Sequence, residues 1–207
     1  MSYQDYGFKD AGASHMHRHF MPPLLELSGT VGPGCRVLDV GCGNGFTVGQ
    51  FLERGCEVTG IDLSEQGITQ ARAAYPKGCF ELLSADGDVL ANLGCRPFDL
   101  VVSTEVVEHL YAPRPYIAGC FAAVRPGGKF VLSTPYHGYL KNLVLSLSGK
   151  WDHHADPLWD GGHIKLWSRR TLSRLLTEAG FVDLRFRGAG RLPGLWMTML
   201  MSGTRPS

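Results

Sequence analysis

Short apolar runs alternate along this chain with stretches of helical periodicity. Val37, Leu38 and Val40 make the first run, and Phe46, Val48, Phe51 and Leu52 recur at helical spacing over 46–54. A second strand is expected over 56–62, and a helix over 64–75 that Pro76 closes. Strand 79–84 precedes a short helix at 89–93. The run Phe98-Asp99-Leu100-Val101-Val102-Ser103 suits a strand buried on both faces. A helix over 113–124 then leads through Arg125-Pro126-Gly127-Gly128 into strand 129–134. Proline and glycine in that turn supply the fixed and positive φ angles of a tight reversal. Near the end, 168–179 reads as an amphipathic helix with Leu172, Leu175 and Leu176 on its apolar face. Ser168 caps it and Gly180 stops it. Segments 181–187 and 195–202 read as the last two strands. Strand and helix in alternation predict an α/β domain.

Two segments fall outside the alternation. In 1–34, residues 14–27 look partly helical, interrupted by Pro22-Pro23, with His15, His17 and His19 near aromatic Tyr3, Tyr6, Phe8 and Phe20. This is either a helical flap packed on the sheet edge or a lid over a ligand. The stretch 136–163 is the least regular, and carries Tyr136, His137, Tyr139, Trp151, His153, His154, Trp159 and His163. So long a connection after a core strand is usually functional, and its aromatics and histidines suit the wall of a substrate pocket. A short apolar helix at 140–147 would help close it.

Composition narrows the class. The 207 residues suffice for one α/β domain and leave little room for a second. Hydrophobic content of 44% against 19% charged is an ordinary globular balance. A net charge of +1 gives no long-range field for a polyanion, and Arg169, Arg170, Arg174 and Arg185 read as a solvated face. Six cysteines are scattered singly with no Cys-x-x-Cys pair, which fits reduced thiols and a cytoplasmic location. No signal segment or membrane-spanning run is expected.

The chemistry concentrates where the first strand meets its helix. Gly41, Gly43 and Gly45 follow Asp39 at alternate positions. Glycine there lets the backbone turn tightly and a ligand approach closely. A dinucleotide corner would show Gly-x-Gly-x-x-Gly, and a pyrophosphate on the helix N-terminus would be opposed by Asp39. A carboxylate suits a cationic ligand, and S-adenosylmethionine carries an ammonium, a sulfonium and no phosphate. Asp62 ends the second strand, where an acid can accept hydrogen bonds from ribose hydroxyls. A helix N-cap is its alternative role, for which Ser64 is the better candidate.

The segment Val37–Val40 with its three glycines resembles the first motif of class I S-adenosylmethionine-dependent methyltransferases, and later segments match in order. The resemblance implies a single Rossmann-like, doubly wound, seven-stranded sheet with the last strand antiparallel. It also implies a lid in 1–34 and a substrate-pocket insertion at 135–167. Asp39, Gly41, Gly43, Gly45, Asp62 with Leu63, Asp86 with Gly87, and Glu105 would contact the cofactor. Asp86 would meet the adenine amino group, with Asp88 as rival or helix cap. Asp99 matches a family residue far from the cofactor.

After the fourth strand comes Glu105-Val106-Val107-Glu108-His109. A helix starting at Glu105 would put Glu105, Glu108 and His109 on one face, ready for a divalent cation such as Mg²⁺, with His163 as a fourth ligand. This pattern resembles the O-methyltransferases of ubiquinone biosynthesis and the small-RNA 2′-O-methyltransferases, which use a metal to hold adjacent oxygens. Without a metal, Glu105 lines the cofactor pocket and Glu108-His109 hydrogen-bond within the domain. His109 and His137 are then the candidate general bases. The expected activity is methyl transfer to a small molecule, most readily to oxygen, by a monomer or homodimer. Net charge disfavours a metal-assisted RNA 2′-O-methyltransferase, and Asp39 disfavours an NAD-dependent dehydrogenase. A non-catalytic S-adenosylmethionine-binding module is the third alternative.

Overall fold

The structure is a computed structural model that describes residues 8, 10–85, 87–159 and 162–207. Tyr3, Tyr6 and Asp86 lie outside the described residues.

Seven strands form one sheet in the order β3-β2-β1-β4-β5-β7-β6. They are β1 Arg36–Val40, β2 Glu57–Asp62, β3 Cys79–Leu82, β4 Phe98–Thr104, β5 Val124–Pro135, β6 Val182–Ala189 and β7 Thr198–Thr204. The first five are parallel, and β7 runs antiparallel to both β5 and β6. The helices are α1 His17–Ser28, α2 Phe46–Leu52, α3 Glu65–Ala74, α4 Val89–Leu93, α5 Pro113–Ala123, α6 Tyr139–Leu147, α7 Trp151–His154 and α8 Arg169–Glu178.

The continuous apolar runs have a direct cause, since successive strand side chains point to opposite faces and both faces are covered. Leu38, Val40, Val101, Phe130, Leu132, Met199 and Met201 pack on one face with Val89, Tyr116, Ile117, Leu172 and Leu176 from α4, α5 and α8. Their neighbours Val37, Leu100, Val102, Val131 and Leu200 pack on the other with Phe20, Leu24, Phe51, Ile68 and Ala71 from α1, α2 and α3.

One expectation changes at α1, where Pro22 and Pro23 lie inside the helix rather than interrupting it. Their missing N–H groups leave the carbonyls four residues back without the usual donor. Burial of Phe20, Met21, Leu24 and Leu27 against the sheet outweighs that loss. The helix thus packs on β5, β6 and β7 as a structural element. No helix among the described residues is long and apolar enough to cross a membrane.

The carboxyl ends of β1, β2, β4 and β5 and the start of β7 meet at one edge of the sheet, the Thr198–Pro135 pair marking the antiparallel strand's entry. Asp39, Asp62 and Glu105, expected from the sequence to be site residues, gather there.

Candidate active site

Gly41, Gly43 and Gly45 have φ of 79°, 49° and 81°. A side chain on Gly41 would strike Val106, and one on Gly43 would come 2.6 Å from the Phe8 ring. The loop is therefore closed by residues from β4's exit and from the N-terminal segment. Asn44 Nδ2 donates to the carbonyls of Asp10 and Gly12, at 2.7 and 3.0 Å, and the Gln66 and Gln70 amides donate to that of Phe8. Phe8 and residues 10–12 thus lie across the glycine corner as a strap.

Asp39 is fully buried, and among the described residues neither carboxylate oxygen has a hydrogen-bond partner. Burial, and then the charge of Asp62, push its carboxyl up to about 8. Asp62 itself is held firmly, Oδ2 accepting from Gly43 N at 2.7 Å and Oδ1 from Ser64 N at 2.8 Å. Leu63, beside it, is 44% exposed. A buried orphan acid behind three glycines, next to a fixed acceptor carboxylate, fits a ligand with an ammonium at one end and ribose hydroxyls at the other. Ser64 N-caps α3, as expected, and Asp88 N-caps α4 by accepting from Ala91 N at 3.0 Å. Gly87 has φ 92° and is exposed. Asp99 is structural, receiving Arg36 N and the Arg125 guanidinium.

The acidic segment after β4 departs from the helix expected there. Glu105 has φ 54°, in the left-handed region, and only Val107–His109 form a 3₁₀ turn. The reversal turns Glu105 toward β5 and β7. There the Ser133 hydroxyl donates to Oε1 at 2.7 Å and the Thr198 hydroxyl lies 2.8 Å from it. Burial raises its pKa against these two hydroxyls and the Lys141 charge.

The remaining three expected ligands do come together. Oxygen and nitrogen atoms of Glu108, His109 and His163 all lie within 4.8 Å of one another. Glu108 is fully buried, with no hydrogen-bond partner on either oxygen among the described residues. Burial, then the charge of Glu105, raise it well above the usual carboxylate range. His109 Nδ1 lies 3.1 Å from the carbonyl of Gly162. That acceptor calls for an N–H on Nδ1, and Nε2 lies 3.9 Å from Glu108 Oε1. His163, with its ring 5.1 Å from that of His109, is pushed down to about 4 by burial. The donor set of one carboxylate and two imidazoles fits a divalent cation.

His137 is not part of this group. It is buried, its Nδ1 is 3.1 Å from Asn142 Oδ1, and its Nε2 is 3.4 Å from Nε2 of His154. Trp151 stacks on its ring at 6.1 Å. Both nitrogens therefore tie α6 and α7 to the end of β5. Ser133, Thr198 and Lys141 went unnoticed in the sequence, whereas His154 was among the histidines expected on the pocket wall. Ser133, at the carboxyl end of a core strand, was the most discoverable of them.

Comparison with known proteins supplies the family. A methyltransferase-domain model matches residues 13–185. The chain is 33% identical over 151 residues to a ubiquinone biosynthesis O-methyltransferase of Thiobacillus denitrificans, covering 71% of this chain and 64% of that one. It is 30% identical over 164 residues to the Aromatoleum aromaticum protein of the same name, covering 77% and 69% respectively. In fold it is similar to an S-adenosylmethionine-dependent methyltransferase from Mesorhizobium loti, with TM-score 0.69, 23% identity, and 90% and 97% of the two chains covered. A Haemonchus contortus phosphoethanolamine N-methyltransferase solved with S-adenosylmethionine matches at TM-score 0.65 and 16% identity, over 90% of this chain and 52% of that one. The matched span takes in the glycine corner and the Glu108 cluster. The chain spans about two thirds of the length of these two curated relatives, and it belongs to the methyltransferase-domain family.

Proposed function

We propose that this methyltransferase alkylates an oxygen of a small-molecule acceptor, helped by a divalent cation at Glu108, His109 and His163. One observation carries the reading. Glu108 is a fully buried carboxyl, with both oxygens unpartnered among the described residues, beside two imidazoles. Such a group is costly to bury unless a cation or a proton meets it. The names of the relatives support oxygen as the acceptor atom. The net charge of +1 supports a small molecule over a polyanion.

The chemistry asks little beyond placement. The sulfonium is already a good leaving group, so in-line positioning and exclusion of water supply much of the rate. A hydroxyl acceptor must lose its proton, and a cation at this cluster would lower the hydroxyl's pKa. Asp39 and Asp62 hold the two ends of the cofactor, and Glu105 lines the mouth between them and the acceptor.

Calorimetry on metal-stripped protein tests the reading. S-adenosylhomocysteine is bound first and Mn²⁺ or Mg²⁺ is then titrated, with and without a catechol. The expected result is a metal-binding heat that Glu108→Ala abolishes while the cofactor still binds. Absence of that heat in every combination would leave an acceptor deprotonated by an imidazole, with His109 the candidate in reach.

A further inference from the structure

The insertion after β5 contains a charge the cofactor and the metal cluster leave unexplained. Lys141, on α6, is only 4% exposed. Its ammonium has three donors, and the hydrogen bond it makes is one of 3.3 Å to the main-chain carbonyl of Met197. Among the described residues it forms no ion pair. Met197 precedes Thr198, whose hydroxyl meets Glu105, so the ammonium stands at the same mouth as the cofactor-side carboxyl. Its other charged neighbour is Arg191, an exposed cation on the loop between β6 and β7. His137, His154 and His163 all feel its positive charge. The nearby acid is Glu105, already engaged by two hydroxyls and itself shifted toward the neutral form by burial. Desolvation and Arg191 pull Lys141 down to about 8.

A buried ammonium beside a second cation, with one long hydrogen bond, is a cost to the unliganded fold that an incoming anion would offset. Glu105 beside it is partly exposed and Arg191 on the neighbouring loop is exposed, so solvent reaches the charges around Lys141. We propose that Lys141 reads a carboxylate carried by the acceptor, with Arg191 as the outer cation, so that the enzyme selects acidic hydroxyl compounds over neutral ones. The inference rests on the oxygen-methylating reading above and names its substrate class. Lys141 is a specificity residue here, and the transferred methyl group goes elsewhere on the acceptor.

Three probes share the dihydroxybenzene ring and differ in one substituent, neutral, anionic or cationic: catechol, its carboxylate derivative protocatechuate, and its ammonium derivative dihydroxybenzylamine. Release of S-adenosylhomocysteine gives kcat/KM for each. Wild type is expected to favour protocatechuate over catechol roughly tenfold or more, the worth of a buried charge-assisted hydrogen bond. Lys141→Met should lose that preference and improve relatively on the amine. Arg191→Ala should lower the preference by a smaller factor. If Lys141→Met does not fold, wild type still answers, because the protocatechuate-to-catechol ratio should fall as pH rises through about 8.

The carboxylate could instead belong to the cofactor's amino-acid end. Binding of S-adenosylhomocysteine to Lys141→Met separates the two, since the acceptor role leaves that affinity within about twofold, and a tenfold loss would overturn it. Equal turnover of catechol and protocatechuate by wild type also overturns the role of Lys141 while leaving oxygen methylation standing. No turnover of any probe by cofactor-loaded enzyme counts against the function proposed above. Titration of protocatechuate into the S-adenosylhomocysteine complex then decides Lys141 alone. Binding that Lys141→Met abolishes supports the role, and absence of binding overturns it.

Discussion

At the scale of the residue, Asp39 shows how one side chain can record a missing partner. Its carboxyl sits near 8 against an ordinary value of 3.8, because burial penalises its charged form. The unfolded chain releases this proton near its ordinary value, whereas the folded chain keeps it until about 8. Folding stability therefore falls as pH rises through that window. Asp39→Asn removes the effect, so urea unfolding should show the variant gaining on wild type from about pH 4 to about pH 8. A bound ammonium reverses the preference and favours the carboxylate. Calorimetry near neutral pH in buffers of different ionisation enthalpy should show about one proton released as S-adenosylhomocysteine binds wild type, and none for Asp39→Asn. Equal proton release by the two proteins would remove Asp39 from the cofactor site. Gly41 and Gly43 make the complementary point, since their function is to lack the Cβ that Val106 and Phe8 would strike.

Elements are where sequence and structure agree best, and where the disagreements teach most. The core strands were legible because both faces of the parallel sheet are covered, which makes each strand an apolar run between turn residues. Helix α8 was legible for another reason: Ser168 and Thr171 form a reciprocal capping box ahead of Leu172, Leu175 and Leu176. Ser168→Ala removes the acceptor for Thr171 N and should cost about 1 kcal/mol in urea unfolding. A loss near zero would mean that packing of the leucines alone sets where the helix begins. Three features resisted reading. Pro22 and Pro23 look like a break because local chemistry forbids them mid-helix, and only the tertiary burial of α1 overrides it. The spacing of Glu105, Glu108 and His109 would suit a helix starting at Glu105, but the left-handed φ of Glu105 turns it toward Ser133 and Thr198, partners far away in sequence. Lys141, among Leu140, Leu143 and Val144, reads as the solvated side of an amphipathic helix. In the fold those three apolar side chains are exposed and the lysine is buried.

For the whole molecule the two kinds of buried titratable group oppose each other. His17, packed on Phe20 and Phe46, is held down to about 4 by burial, as are His137 and His163. In the unfolded chain each takes a proton near its ordinary 6.5, so these residues lower stability as pH falls from there toward about 4. Asp39, Glu105 and Glu108 are raised, and they add stability over the same fall, because the folded chain binds protons that the unfolded chain does not. The free protein should consequently have a flatter stability–pH profile than either set alone would give. A cofactor whose ammonium meets Asp39, as proposed above, would favour its ionised form, remove one carboxyl from the opposing side and leave the histidines less compensated. The stabilisation given by saturating S-adenosylhomocysteine should then shrink as pH falls from about 8, by about 1.4 kcal/mol per pH unit for each proton taken back. Melting curves with and without the ligand across that range measure the gap directly. A gap that stays constant would mean the cofactor binds without ionising a buried carboxyl, and the acid behind the glycine corner would need another partner.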